Sequence, residues 1–299
     1  MRKDDRMANT NSKDIARREG HFEGYGGTEL FFQTWSLPEN NETLVITHGM
    51  AEHSECYVHT ADALVKLGWN ICAWDLRGHG RSEGKRGFVG EFHEYAKDLA
   101  LFLKFLRASD RLKDNFALVG HSMGGLISLR HLVDDDTTAP RPKALALSSP
   151  LLGIGVAVPA VKSMAAKFLN KVIPTITLHN EIRYDELTRD MERLKGYDTD
   201  PLRHDKISPG LYLGMLENIE FVKQRADRLK LSTLVQAAGQ EKIVSLPAIR
   251  EFFPRIGAAD KKLIVYDESY HEVFNDLDRE DVFRDLDAFF APRVRGVKK

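Results

Sequence analysis

At 299 residues, 42% of them hydrophobic, the chain is long enough for one large α/β domain or two ordinary ones and can bury a sizeable core. Lys+Arg 43 nearly balance Asp+Glu 44, leaving a net charge of -1, which speaks against a protein that grips phosphates and so against a nucleic-acid partner. The 2 cysteines, Cys56 and Cys72, have no close pairing that suggests zinc, and both read as reduced thiols of a cytoplasmic protein.

In chain order, residues 1–20 read as a disordered polar tail, with no apolar stretch that would make a secretory signal. Strand-like and helix-like segments then alternate. Strands are expected at 30–35, 43–47, 70–74, 116–119, 144–147, 233–236 and 263–265, most of them short continuous apolar runs of the kind covered by helices on both faces. Helices are expected at 57–67, 91–107, 124–132, 247–253 and 279–290. Phe92, Tyr95, Ala96, Leu99, Phe102, Leu103 and Leu106 fall at helical spacing in the second of these. Such alternation predicts an α/β fold with a mostly parallel central sheet flanked by helices.

Residues 150–213 break this rhythm and predict a small helical insertion between core segments 21–149 and 214–292. Val161, Met164, Ala165 and Phe168 fit one helical face, and 185–194 reads as a second helix. An insertion here stands over the carboxyl ends of the strands, where α/β sheets hold their sites. The longest apolar run, residues 151–161, is stopped by Lys162, well short of the ~20 residues of a membrane span. Contact with a membrane or micelle surface is therefore expected to be transient at most. The chain closes on a short basic tail, 293–299.

The strongest chemical signal is Gly120-His121-Ser122-Met123-Gly124, set between a predicted strand and a predicted helix. This is G-x-S-x-G in the strand-turn-helix setting of a nucleophile elbow, where flanking side chains would clash and Ser122 stands exposed at the apex. A serine hydroxyl needs a base held by a third group. In the order Ser, acid, His, the base is His271, alone among the 11 histidines in lying between the last strand and the last helix. The acid is Glu241, in the segment after the preceding strand; Asp267 is the rival. Two backbone N–H groups should bind the oxyanion. Met123 supplies one, and Met50 the other, because Gly49 lets the backbone after His48 turn inward.

His48, Glu52 and His53 miss the H-x-x-E-H zinc spacing by one residue, so no metal is expected. The glycine-rich loop from Asp75 to Ser82 departs from both phosphate-binding patterns. It reads as a loop buttressed by Asp75 and Arg77. No cofactor is implied.

With these residues assembled, the sequence resembles the lysophospholipase and monoacylglycerol-lipase branch of the α/β hydrolases. The resemblance is carried by His48-Gly-Met-Ala-Glu-His53, Asp75-Leu-Arg-Gly-His-Gly-Arg-Ser82, Gly120-His-Ser-Met-Gly-Gly125, Asp200-Pro-Leu202, Gly239-Gln-Glu-Lys-Ile-Val244 and Tyr270-His-Glu272. It implies the α/β-hydrolase fold, a helical cap forming an apolar acyl tunnel, and a carboxylic-ester hydrolase of monoacyl lipids (lysophospholipid or monoacylglycerol). Glu241 departs from the aspartate most relatives carry. The rival readings are a general carboxylesterase, a peptidase or perhydrolase on the same triad, and a ligand-binding relative without turnover. Arg183, Arg189 and Arg193 suit either a phosphate or a solvated helix face. Nothing in the sequence sets an oligomeric state.

Overall fold

The continuous apolar runs become inner strands because both of their faces are covered. The computed structural model describes residues 6–7, 15–134, 138–155 and 160–296. In chain order its strands are β1 (Arg6–Met7), β2 (Ala16–Glu23), β3 (Glu29–Ser36), β4 (Glu42–Thr47), β5 (Trp69–Trp74), β6 (Phe116–His121), β7 (Ala144–Ser148), β8 (Leu178–His179), β9 (Lys206–Ile207), β10 (Ser232–Ala238) and β11 (Lys261–Tyr266). Its helices are α1 (Val58–Lys66), α2 (His93–Ala108), α3 (Met123–Val133), α4 (Ala160–Val172), α5 (Met191–Tyr197), α6 (Pro209–Lys223), α7 (Leu246–Phe252) and α8 (Arg279–Phe290).

The main sheet has the order β1-β2-β3-β5-β4-β6-β7-β10-β11. From β5 to β11 every pairing is parallel, while β1, β2 and β3 extend the sheet antiparallel. Successive strand residues face opposite sides. Val45, Cys72 and Trp74 thus join one core with α2, α3, α6 and α7, while Leu44, Ile46, Ile71 and Ala73 join a second core with α1 and α8.

All seven expected strands and all five expected helices form, with ends shifted by a residue or two. The expected tails are shorter than the sequence suggests. Residues 16–23 form β2 along β3, because Phe22 packs its ring 4.7 Å from that of Phe102. At the other end Arg293 pairs with Asp260, and Arg295 lies over the Trp69 ring. Only 297–299 of that tail, with 1–5 and 8–14 of the first, fall outside the described residues.

The helix expected at 185–194 starts later. Thr188 Oγ1 donates to Asn275 O, and Asp190 accepts from the amides of Glu192 and Arg193, capping α5. The end of the insertion also differs from position 213. Ser208 caps α6 and Pro209 opens it, so one helix carries the chain from the insertion to Lys223 against α3.

Because β2 is anchored by its aromatic contact, Phe22→Ala is expected to cost about 3–5 kcal/mol, the range for truncating a buried phenylalanine. A urea-unfolding midpoint within error of the parent would show that β2 is dispensable.

Candidate active site

Ser122 joins β6 to α3 at φ 51° and ψ -119°, a conformation that L-residues adopt only under constraint. Its surroundings supply that constraint. The Ser122 amide donates to Ser148 O, and its carbonyl accepts from Gly125, Leu126 and Leu151. A Cβ on Gly120 would stand 2.7 Å from Gly124 O, and one on Gly124 would overlap the carbonyl oxygens of Thr47 and His48. Glycine at these positions lets α3 begin directly against the end of β4.

His271 follows β11 and is 3% exposed. Its Nδ1 lies 3.0 and 2.9 Å from Glu241 Oε1 and Oε2. Oε1 also accepts from the amides of Ile243 and Val244, which fixes the carboxylate across the ring. Burial pushes the Glu241 carboxyl up, but the His271 imidazole and these amides prevail and hold it below the usual carboxylate value. Burial likewise lowers His271, yet Glu241, with Glu272 and Glu52 beyond it, raises it above an ordinary imidazole. The rival Asp267 is exposed, and its backbone carbonyl accepts from Gln240.

The loop after β4 lies against the elbow, for a Cβ on Gly49 would stand 3.0 Å from Ser122 Cβ. Met50 and Met123 both line the cavity at Ser122. His48 braces this loop from beneath. Leu76 N donates to its Nε2, so Nδ1 carries the proton and donates to Gly49 O. Burial pushes the His48 imidazole down to about 3, which keeps it neutral. Asp75 accepts from the amides of Ser54 and Arg81 and so ties two loops together. Arg77 supports a more distant part of the fold. It holds Asp98 with two hydrogen bonds, pairs with Glu94 and donates to Tyr25 O, fastening α2 to the β2–β3 turn.

Ser122, Glu241 and His271 open into one cavity of about 1840 Å³, roofed by the insertion. Leu151, Ile154, Leu169, Ile207, Met215 and Val244 form much of its apolar wall. Met164 and Phe168, expected with Ala165 on one packed face, divide from it. Ala165 lines the cavity, whereas Met164 and Phe168 are 64% and 67% exposed to solvent. The Val161 side chain lies outside the described set. Of the three insertion arginines, Arg183 lines the cavity beside Asp185. Arg189 pairs with Asp276 and Asp278, and Arg193 with His59.

The sequence reading missed a group of buried polar side chains at the same cavity: Glu52, Tyr197, Arg203 and Glu272. Glu52 and Glu272 stood inside the quoted motifs, but nothing in their spacing announced that they would meet. His53 and Asp200, from two further motifs, also come together, with Nε2 2.8 Å from Oδ2. With Cys56 they bring three ligand-type atoms within 4.8 Å of one another, although His53 and Asp200 already bond to each other.

The family profile described as Hydrolase_4, serine aminopeptidase S33, matches residues 38–278. The chain is 30% identical over 284 residues to a monoacylglycerol lipase of Mycolicibacterium smegmatis, covering 93% of this chain and 98% of that one. It is 29% identical over 257 residues to the phospholipase YtpA of Bacillus subtilis, covering 86% and 97%. Among solved structures, the monoacylglycerol lipase of Paleococcus ferrophilus superposes with a TM-score of 0.78 at 28% identity, covering 87% of this chain and 98% of that one. The chain belongs to the Hydrolase_4 family and is a serine hydrolase of the α/β-hydrolase fold.

Proposed function

We propose that the protein hydrolyses carboxylic esters of single-chain lipids through a Ser122-His271-Glu241 triad. The observation that carries this reading is the His271–Glu241 contact, set in a large, apolar-walled cavity that also holds Ser122. Ser122 Oγ attacks the ester carbonyl while His271 takes its proton. The Met50 and Met123 amides receive the oxyanion, and collapse releases the alcohol as His271 returns the proton to it. Water then repeats the sequence on the acyl-enzyme and frees the fatty acid. Glu241 holds the imidazole in one tautomer and offsets its charge. The relatives named as monoacylglycerol lipase and phospholipase support a lipid ester as substrate.

Ser122→Ala is expected to keep the fold and lower turnover by roughly 10⁴-fold or more, and a fluorophosphonate should label Ser122 in the parent. Glu241→Gln should cost about 10³- to 10⁴-fold because the amide favours the wrong tautomer, while Asp267→Asn should have little effect. The base works unprotonated, so the raised proton affinity of His271 means activity falls with decreasing pH earlier than an ordinary imidazole would dictate. Full turnover by Ser122→Ala, or the reverse ranking of the two acid variants, would overturn these roles.

Each methylene moved into an apolar wall contributes about 0.8 kcal/mol, so two added carbons are worth roughly tenfold in kcat/KM when expressed in the transition state. Activity on monoacyl esters should climb steeply from acetyl to medium chains and then flatten, with triacylglycerols poor substrates. The cavity lining also favours a neutral head group. It contains nine carboxylates, Glu52, Asp200, Glu241 and Glu272 among them, against the cations Arg183, Arg203 and Lys242. Monoacylglycerol should therefore outrank lysophosphatidylcholine, and an anionic lysophospholipid should be the poorest of the three. A hydrolysis panel that peaked on acetyl esters or on anionic head groups would refute this specificity.

The outward residues Met164, Phe168 and Val172 on α4 suit transient contact with a lipid surface. No helix among the described residues is long and apolar enough to cross a membrane. Phe168→Asp should weaken hydrolysis of micellar substrate several-fold and leave soluble short-chain esters unaffected. Equal losses on both substrates would count against the contact.

A further inference from the structure

Two carboxylates from the two loops that flank the reaction are buried together, and the insertion sets the Arg203 guanidinium against them. Glu52 lies two residues after Met50, the predicted oxyanion donor. Its Oε1 accepts from Gly49 N at 2.5 Å and from Tyr57 Oη at 2.8 Å, while its Oε2 is buried without a hydrogen-bond partner. Glu272 follows His271. Its Oε2 accepts from Tyr197 Oη at 2.5 Å and Asn275 Nδ2 at 2.6 Å. Arg203 Nη1 stands 3.6 Å from Glu272 Oε1, and the two side chains are 4% and 5% exposed. The Tyr197 ring lies 3.7 Å below the guanidinium, and Arg203 Nε has no hydrogen-bond partner. Neighbouring cap residues grip the same loops: Asp200 bonds His53, His204 N donates to Ala51 O, and Glu272 N donates to Leu187 O.

We propose that Arg203 is a positioning residue for the reaction, a cation carried by the insertion that holds the Glu272 and Glu52 loops, and with them His271 and the oxyanion-binding backbone, in working geometry. The proposal rests on the triad reading above. Its physical basis is that buried like charges cannot share a site without a counter-charge. Arg203 neutralises two anions that otherwise repel each other and draw a proton into the site. Glu52 already sits high, pushed up by burial and by Glu272 to about 7 even with Arg203 opposing. Arg203 also brings Glu272 down against its burial.

Arg193 also feels Glu272, but its guanidinium is turned to His59 and Asp190. His59 is lowered by burial to about 4 and stays neutral, so neither replaces Arg203. The other titratable groups facing this cluster do not replace the cation either. Tyr57 and Tyr197 are neutral phenols held above their usual value by burial and the carboxylates. Cys56 is a neutral thiol raised by burial. His48 and His121 are held neutral by burial at about 3. Tyr184 is raised by burial, and Asp200, which also feels Arg203, hydrogen-bonds His53. His271 is the remaining proton acceptor, and Glu272 and Glu52 both raise it. Without Arg203, the cluster of Glu52, Glu272 and His271 takes up a proton at higher pH, which disables either the base or the loop geometry.

The test compares Arg203→Met, Arg203→Lys and the double variant Arg203→Met/Glu272→Gln. Thermal unfolding and the pH dependence of kcat and KM are followed on a soluble medium-chain ester. Arg203→Met should lower kcat at pH 7 by roughly tenfold or more with KM changed less than about threefold. Its acid limb should move up by about one pH unit. Arg203→Lys keeps the charge and should retain the parental limb. The double variant, which removes one anion with the cation, should return the limb towards the parent. An unmoved limb in Arg203→Met, or a double variant no better than the single one, overturns the proposal. If Arg203→Met does not fold, a shifted limb in Arg203→Lys overturns it and a parental one supports it. Failure of the triad reading is separate, since it shows as turnover by Ser122→Ala whatever Arg203 does.

Discussion

The whole site depends on one strained turn. Ser122 holds a backbone conformation that costs on the order of 1–3 kcal/mol, and such strain persists only where the surroundings over-determine it. Here β7 takes the Ser122 amide, while the first turn of α3 and Leu151 take its carbonyl. The serine cannot relax without breaking contacts on three sides. Parallel strands β4 and β6 also bring the loop after β4 against the elbow, so Ser122 and the backbone around Gly49 are set by the same register.

Around that turn, charge is managed by burial in matched groups. His48 and His121 are kept neutral by desolvation, whereas His271 is drawn the other way by Glu241 despite equal burial. The contrast is the chemical content of the site: of these three imidazoles, the one with a buried carboxylate across its ring gains proton affinity. The amides of Ile243 and Val244 hold that carboxylate against the ring.

The insertion does more than roof the cavity. Leu187, Thr188 and Arg189 bind the segment from Glu272 to Asp278, while Asp200 and His204 bind the loop after β4. The roof and the loops beside Ser122 and His271 are therefore tied together by direct hydrogen bonds and ion pairs. Helix α4 faces two environments, with Leu169 towards the cavity and Phe168 towards solvent. Such a helix carries apolar residues around much of its circumference, which is why a one-faced reading of its sequence misassigned Met164 and Phe168.

The sequence by itself determined what local rules control. Short apolar runs bounded by turns marked the parallel strands, and Gly120 and Gly124 around Ser122 marked the elbow, because steric limits act between neighbours in the chain. Chain order pointed to Glu241 and His271 as a pair, and the structure sets their side chains 2.9 Å apart. The charge-rich segment at 16–23 was read as tail because its one large apolar anchor, Phe22, gains its value only from Phe102, eighty residues on. Helix α6 was overlooked although Ser208 and Pro209 signal its start, since its apolar residues acquire a face only against α3 and α4. The meeting of Arg203 with Glu272, and of His53 with Asp200, was decided by tertiary structure alone. Their attraction is a property of distance and burial, and the chain that separates them encodes neither locally.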